Sequence, residues 1–264
     1  MNLEAITSLV CGLSRETGAY IKREVSRFTE TAIEEKGRHN FVTYVDRTAE
    51  ERIVKELSII LPNAGLFAEE GTHTSGKSSL QWIIDPLDGT TNFIHRVPVY
   101  SISIGLLENR TLLLGVVFEI NQDECFYGWK GGGAWLNGNP IKVSATRKLD
   151  KSLMATGFPY TDYARLDDYI SLFKDLLQKT QGVRRFGSAA VDLAYVASGR
   201  FDGFYEYGLN PWDVAAGAML VKEAGGMVTD FLGLDDYIHG KEIVASNGFI
   251  HKELLKSVRE HMTE

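Results

Sequence analysis

Trp82-Ile83-Ile84-Asp85-Pro86-Leu87-Asp88-Gly89-Thr90-Thr91-Asn92-Phe93 decides how this chain is read. An apolar run breaks into a Pro turn that carries two carboxylates, then a Gly and two hydroxyls. Apolar residues followed by acid, Pro, acid and Gly predict a strand ending at a tight turn. Such a turn aims Asp85 and Asp88 at nearly one point, with the carbonyls between them. Two carboxylates and a main-chain oxygen make a hard oxygen cage, suited to Mg²⁺ rather than to Zn²⁺ or copper. The N–H groups of Gly89, Thr90 and Thr91 can hold an anion if a helix or turn begins there. Metal and anion at one turn point to phosphate chemistry.

Upstream, Leu3, Ile6, Leu9, Val10, Leu13, Tyr20, Ile21, Val25 and Phe28 recur at helical spacing. They predict a helix over 2–30, or two with a break near Gly18. Residues 34–40 read as a polar loop. Asp46 can cap a second helix that buries Ile53, Val54, Leu57 and Ile60 and ends before Pro62. Leu66–Ala68 reads as a short strand that delivers Glu69 and Glu70, and 72–79 as a polar loop. Downstream, Val99–Leu107, Thr111–Glu119, Glu124–Trp129, Gly133–Leu136 and Ile141–Val143 form an antiparallel meander, with Asn137-Gly138 as a two-residue hairpin turn. From Leu153 strands alternate with helices, which suggests layered sheets and helices. The change of pattern divides the chain into two lobes, 1–145 and 146–264, sharing one interface.

The chain has 264 residues, a net charge of −7 and two cysteines, Cys11 and Cys125. That charge gives no overall field favouring nucleic acid or an anionic membrane. Two cysteines make no disulfide framework, which fits a reducing compartment. No signal peptide or membrane span is read, so a cytoplasmic protein is expected. The histidines show no paired metal spacing. No Lys-Ser/Thr follows Gly131-Gly132-Gly133, which argues against a nucleotide loop.

Further acids must converge on the Asp85 turn to complete a metal site. Glu69 and Glu70 sit before a loop leading straight back to the Asp85 strand, and successive strands often pair. They are equally read as solvated loop charge. In Asn210-Pro211-Trp212-Asp213, Pro opens a helix and Asp213 falls in its first turn, where the helix dipole favours a carboxylate. A helix-start acid with no ligand role fits as well. The small residues Ala215-Ala216-Gly217-Ala218 allow close packing against another element.

Asp85-Pro86-Leu87-Asp88-Gly89-Thr90-Thr91-Asn92 resembles the first signature of the inositol monophosphatase family. Trp212-Asp213-Val214-Ala215-Ala216-Gly217, running on to Glu223-Ala224-Gly225-Gly226, resembles the second. Glu69-Glu70, the hairpin around Gly131–Asn137 and Ala245-Ser246-Asn247 also stand in family order, so the similarity covers about residues 5–260. The resemblance implies an α+β fold, the layered αβαβα sandwich of the sugar phosphatases. It implies Mg²⁺-dependent hydrolysis of a phosphate monoester, and a homodimer. Glu69, Asp85 and the Leu87 carbonyl would hold one Mg²⁺, and Asp85, Asp88 and Asp213 a second. A third, looser ion in some relatives leans on Glu69. Thr90, paired with Asp46, would orient the attacking water. Gly89, Thr90, Arg184, Ala189, Glu206 and Asp213 would bind substrate. Lys36 matches a basic residue of the family's mobile loop. Asn40 departs from the pattern, standing where the family often places an acid, and this bears on the third metal and on loop closure. Plain capping remains open for Asp46, a solvated loop for Lys36, a surface or structural ion pair for Arg184, and a simple helix start for Gly187-Ser188-Ala189.

The expected substrate is myo-inositol monophosphate. The alternatives are a phosphatase that also cleaves fructose 1,6-bisphosphate, one acting on nucleotide phosphates, and a regulatory relative that binds a protein of the transcription machinery.

Overall fold

In the computed structural model the run at Trp82 is the middle of a nine-residue strand. The structure describes residues 1–27, 33–37, 40–160 and 162–262, with side chains except at 33–37 and 40–42. The chain opens with α1 (Leu3–Glu24), β1 (Ile33–Gly37), β2 (Asn40–Thr43) and α2 (Tyr44–Ile60). β3 (Gly65–Ala68), β4 (His73–Thr74) and β5 (Leu80–Asp88) lead into the short α3 (Thr90–Ile94). The meander is β6 (Ser101–Glu108), β7 (Thr111–Glu119), β8 (Glu124–Trp129), β9 (Gly133–Leu136) and β10 (Asn139–Ile141). The second half runs β11 (Leu153–Thr156), α4 (Leu166–Lys179), β12 (Gly182–Arg184), α5 (Ala189–Ala197) and β13 (Gly203–Tyr207). It ends with α6 (Pro211–Glu223), β14 (Met227–Thr229), β15 (Glu242–Ser246) and α7 (His251–Met262).

Eight strands form one sheet in the order β10-β9-β8-β7-β6-β5-β3-β4, and five form another in the order β12-β11-β13-β15-β14. α1 and α2 bury Val10, Ile21, Ile53 and Leu57 on the outer face of the large sheet. α5 and α6 fill the space between the sheets. α4 and α7 cover the far side of the small sheet with Leu172, Leu176, Leu254 and Val258. The result is an αβαβα sandwich. Both faces of the large sheet are covered, which is why β6 and β7 read as continuous apolar runs.

The small residues of α6 act as predicted. A Cβ on Gly115 of β7 would lie 2.5 Å from Ala216 O, and one on Gly217 would lie 2.5 Å from Leu193 Cβ of α5. Only hydrogens at these points let α6 sit this close to the sheet and to α5. That contact sets the position of Asp213, in the first turn of α6. The Asn137-Gly138 turn also holds, with φ of +48° and +85° at its two residues.

Three local expectations are corrected, and one open alternative is decided. The chain does not turn at Pro86: β5 continues to Asp88 through an irregular register between Asp85 and Asp88, and a bulge is where a strand tolerates Pro. α1 has no break at Gly18, whose missing side chain makes room for the Phe118 ring instead. Within the predicted 34–40 loop, residues 34–37 and 40 belong to the paired strands β1 and β2, held by main-chain bonds that leave no mark in a hydrophobic pattern. The cap of α2 is Thr43, with Asp46 three residues inside as its reciprocal partner. The side chains of Lys36 and Asn40 lie outside the described residues. Among the described residues no helix is long and apolar enough to cross a membrane.

Candidate active site

β3 and β5 run parallel, with Ala68 opposite Ile84. Parallel neighbours run toward the same edge of the sheet, so Glu69, just past the end of β3, lies beside Asp85 of β5. The Glu69 N–H donates to Ile84 O at 3.2 Å. Glu50 of α2 anchors the segment that follows, accepting the N–H of Glu70 at 2.7 Å and of Thr72 at 3.0 Å.

Asp85 Oδ1 accepts the Leu87 N–H at 2.9 Å, which curls the bulge around its own carboxylate. Asp88 reaches across to α5, where its Oδ2 accepts Ser188 Oγ–H at 2.6 Å and the Ala190 N–H at 2.8 Å. Asp213 Oδ2 accepts the Asn210 N–H at 2.7 Å in a capping box on α6. The first turn of α6 therefore brings Asp213 to the end of β5, while the start of α5 holds Asp88 in place. Asp85, Asp88 and Asp213 each bring an oxygen to within 4.8 Å of the others.

Burial and mutual repulsion govern the protonation of this group. Asp85 is pushed well above the ordinary carboxylate range by burial first, then by Glu69, Asp88 and Asp213. Asp213 is raised in the same way by burial and Asp88. Burial lifts Asp88 to about 6 against the pull of its Ser188, Ala190 and Ala189 hydrogen bonds. Three such groups in one place repel one another, and a divalent cation with oxygen ligands relieves that repulsion.

Thr90 Oγ1 lies 3.0 Å from Asp46 Oδ1 and 3.0 Å from the Leu87 carbonyl. The other Asp46 oxygen accepts the Thr43 N–H at 2.9 Å and the Thr43 hydroxyl at 2.5 Å. Asp46 is buried, and that burial raises its carboxyl against these bonds. Gly89, at φ +94°, precedes Thr90, and a Cβ there would meet Val99 O at 3.1 Å and Gly187 O at 3.2 Å.

One cleft is lined by Glu69, Asp85, Leu87, Asp88, Gly89, Thr90, Ala189, Glu206 and Asp213. Asp46 stands behind it and connects through Thr90. Arg184 is exposed, outside the cleft lining, and its guanidinium donates to its own strand at Val183 O. The neighbouring Arg185 lines the cleft, and its Nη2–H donates to Tyr160 Oη at 3.0 Å. Consecutive residues of an extended segment face opposite ways, so the Arg-Arg pair in sequence cannot say which one turns inward.

Among the cleft-related residues to which the sequence reading gave no role are Glu50, Gly157, Arg185 and Asp192. Glu50 and Asp192 had a signal, an acid on an otherwise buried apolar helix face. Gly157 had none; a Cβ there would fall 2.1 Å from Glu206 Oε1. Glu206 itself is buried, which pushes its carboxyl up to about 8 despite the nearby Arg185.

Comparison with known proteins agrees with this fold. Residues 2–263 match the inositol monophosphatase family. The chain is 40% identical to the Nus factor SuhB of Pseudomonas aeruginosa, over 98% of each chain. It is 36% identical to the inositol-1-monophosphatase of Mesorhizobium japonicum, over 100% of this chain and 99% of that one. The solved structure of inositol monophosphatase from Anabaena (Nostoc) sp. superimposes with a TM-score of 0.89 at 38% identity, covering 99% of this chain and 98% of that one. The chain belongs to the inositol monophosphatase family, a family of metal-dependent phosphatases.

Proposed function

We propose that this protein is a Mg²⁺-dependent phosphatase that hydrolyses myo-inositol monophosphate with water as the nucleophile. The observation that carries the reading is the convergence of Asp85 and Asp88 of β5 with Asp213 of α6, far apart in the chain, on one small volume. In this reading Glu69, Asp85 and the Leu87 carbonyl would hold one Mg²⁺, and Asp85, Asp88 and Asp213 would hold a second. Two such ions, when bound, supply Lewis-acid activation of water and neutralise charge on the leaving alkoxide. Thr90 orients the attacking water through Oγ1, and Asp46 accepts the proton that Thr90 passes on. Gly89 and Ala189 give main-chain contacts to the phosphate, where a missing or small side chain leaves room for it. Glu206 binds a substrate hydroxyl, and the cleft position of Arg185 makes it the arginine of the pair that faces substrate.

The test is phosphate release from inositol 1-phosphate and from fructose 1,6-bisphosphate, side by side, with and without Mg²⁺. Mg²⁺-dependent release from inositol 1-phosphate is expected. Release from both widens the reading to a dual-specificity sugar phosphatase. No release from either, with folded protein and Mg²⁺ present, overturns it.

A second reading rests on the 40% identity to a protein named Nus factor SuhB: this chain also binds a protein of the transcription machinery. Its net charge of −7 argues against direct contact with nucleic acid. A pull-down that recovers no polymerase or ribosomal component would sink it. A homodimer in the cytoplasm completes the proposal on family membership, and sedimentation tests the oligomeric state.

A further inference from the structure

Asp192 is the most unusual residue of the cleft outside the carboxylate cage. It sits in α5 among Ala189, Ala190, Val191, Leu193 and Ala194, all of them buried, and is itself 1% exposed. It lies one helical turn after Ser188, the residue that holds Asp88, and so shares its face. It is among the residues that line the cleft. Its Oδ1 has no hydrogen-bond partner among the described residues. A buried acceptor without a donor is costly, and proteins rarely keep one without a use.

The surroundings narrow that use. Glu206 and Asp88 are close enough to add to the burial that holds Asp192 well above the ordinary carboxylate range, and Arg185 opposes them. Arg185 is the only cation among the described residues that line the cleft. Arg185, Glu206 and Asp192 thus bring donors and acceptors to one stretch of wall beside the cage. A phosphate needs donors only. A wall with spare acceptors is suited to hydroxyl groups, which both donate and accept.

Resting on the phosphatase reading above, we propose that Asp192 is a specificity-determining residue. With Glu206 and Arg185 it forms a wall that reads hydroxyls and favours phosphate esters of polyols over esters whose alcohol carries no further hydroxyl. A site that hydrogen-bonds a substrate hydroxyl discriminates against analogues lacking it, because its own buried polar group is then left unpaired.

The experiment compares wild type, Asp192→Asn and Asp192→Ala in Mg²⁺. Each is assayed on myo-inositol 1-phosphate and on p-nitrophenyl phosphate, an aryl ester without hydroxyls. The ratio of the two kcat/KM values is expected to fall about tenfold in Asp192→Ala, the scale of one lost hydrogen bond, and mainly through KM. Asp192→Asn keeps an acceptor of the same shape and falls less. A ratio within twofold of wild type in both variants overturns the proposal, since a residue that only supports the fold depresses both substrates alike. Binding of free myo-inositol, followed by NMR, is the second arm and needs no turnover. If wild type cleaves neither ester, the phosphatase reading fails on its own. Weaker inositol binding by Asp192→Ala then still supports the hydroxyl-reading wall, and unchanged or absent binding overturns it.

Discussion

Thr90 Oγ1 stands 3.0 Å from Asp46 Oδ1 and at the same distance from the Leu87 carbonyl. A hydroxyl has one proton, so it donates to only one of these acceptors at a time. Donation to Leu87 leaves the Asp46 carboxylate as a second acceptor against the same oxygen; donation to Asp46 readies a route by which a proton leaves the cleft. Asp46→Asn keeps the shape but removes the base. Turnover is expected to fall about 100-fold or more, the usual contribution of a positioned general base. Stability falls by about 1 kcal/mol as the Thr43 capping box weakens. Steady-state kinetics and thermal melting read the two effects separately, and full turnover would remove Asp46 from the mechanism.

Asp88→Asn should preserve the fold and abolish turnover. An Asn oxygen still accepts Ser188 Oγ–H and the Ala190 N–H, the two bonds that tie Asp88 to α5. The negative charge opposite Asp85 and Asp213 is lost. Calorimetric titration with Mg²⁺ should show weaker binding beside an unchanged circular dichroism spectrum. Wild-type activity in this variant contradicts the assignment of Asp88 to a metal.

The metal-free protein should lose stability between pH 6.5 and 8.5. A carboxyl whose folded value is raised binds more protons folded than unfolded. The stability it contributes is complete below its unfolded value and is lost as pH rises through the folded one. Glu206, raised to about 8 by burial, titrates in this window. His251, lowered to about 4 by burial, destabilises only on the acid side, below this range. Melting temperatures in EDTA should therefore drop from pH 6.5 to 8.5, with a shallower drop in Glu206→Gln. Mg²⁺ should stabilise more strongly at the higher pH, where the cage is ionised. A flat or rising metal-free profile refutes this.

Glu50→Gln tests the support behind Glu69. The two Glu50 oxygens accept the N–H groups of Glu70 and Thr72, and Gln can accept only one of them. A loss of about 1–3 kcal/mol in stability follows from the orphaned donor. The Mg²⁺ affinity should weaken because Glu69 is no longer fixed. Unchanged affinity would mean that β3 alone positions Glu69.

Gly157→Ala should damage substrate binding with little effect on the metals. The new methyl would lie 2.1 Å from Glu206 Oε1 and must displace it. KM for inositol 1-phosphate is expected to rise about tenfold, on the scale of one hydrogen bond lost, while Mg²⁺ affinity is retained. An unaltered KM would show that Glu206 does not contact the substrate.

The order of most elements, from the Thr111–Glu119 strand to the Ala189–Ala197 helix, was legible because alternation and helical periodicity are local properties of a chain. The two signature segments were legible for the same reason: the acids, Pro and Gly that mark them stand within a few residues of Asp85 and Asp213, although the bulge at Asp85 read as a turn. What the sequence by itself determined was therefore the strand-and-helix order, the carboxylates at their ends and the family they resemble. The tertiary structure decided which of them meet. Asp88 finds Ser188 and Ala190 about a hundred positions away, because α6 packs against Gly105, Gly115 and α5 at a separation only those contacts define. It also turned Arg185 rather than Arg184 toward the cleft, and it put Asp192 and Glu50 beside the chemistry. Distances between segments far apart in the chain come from the fit of whole layers, and no local pattern encodes that fit.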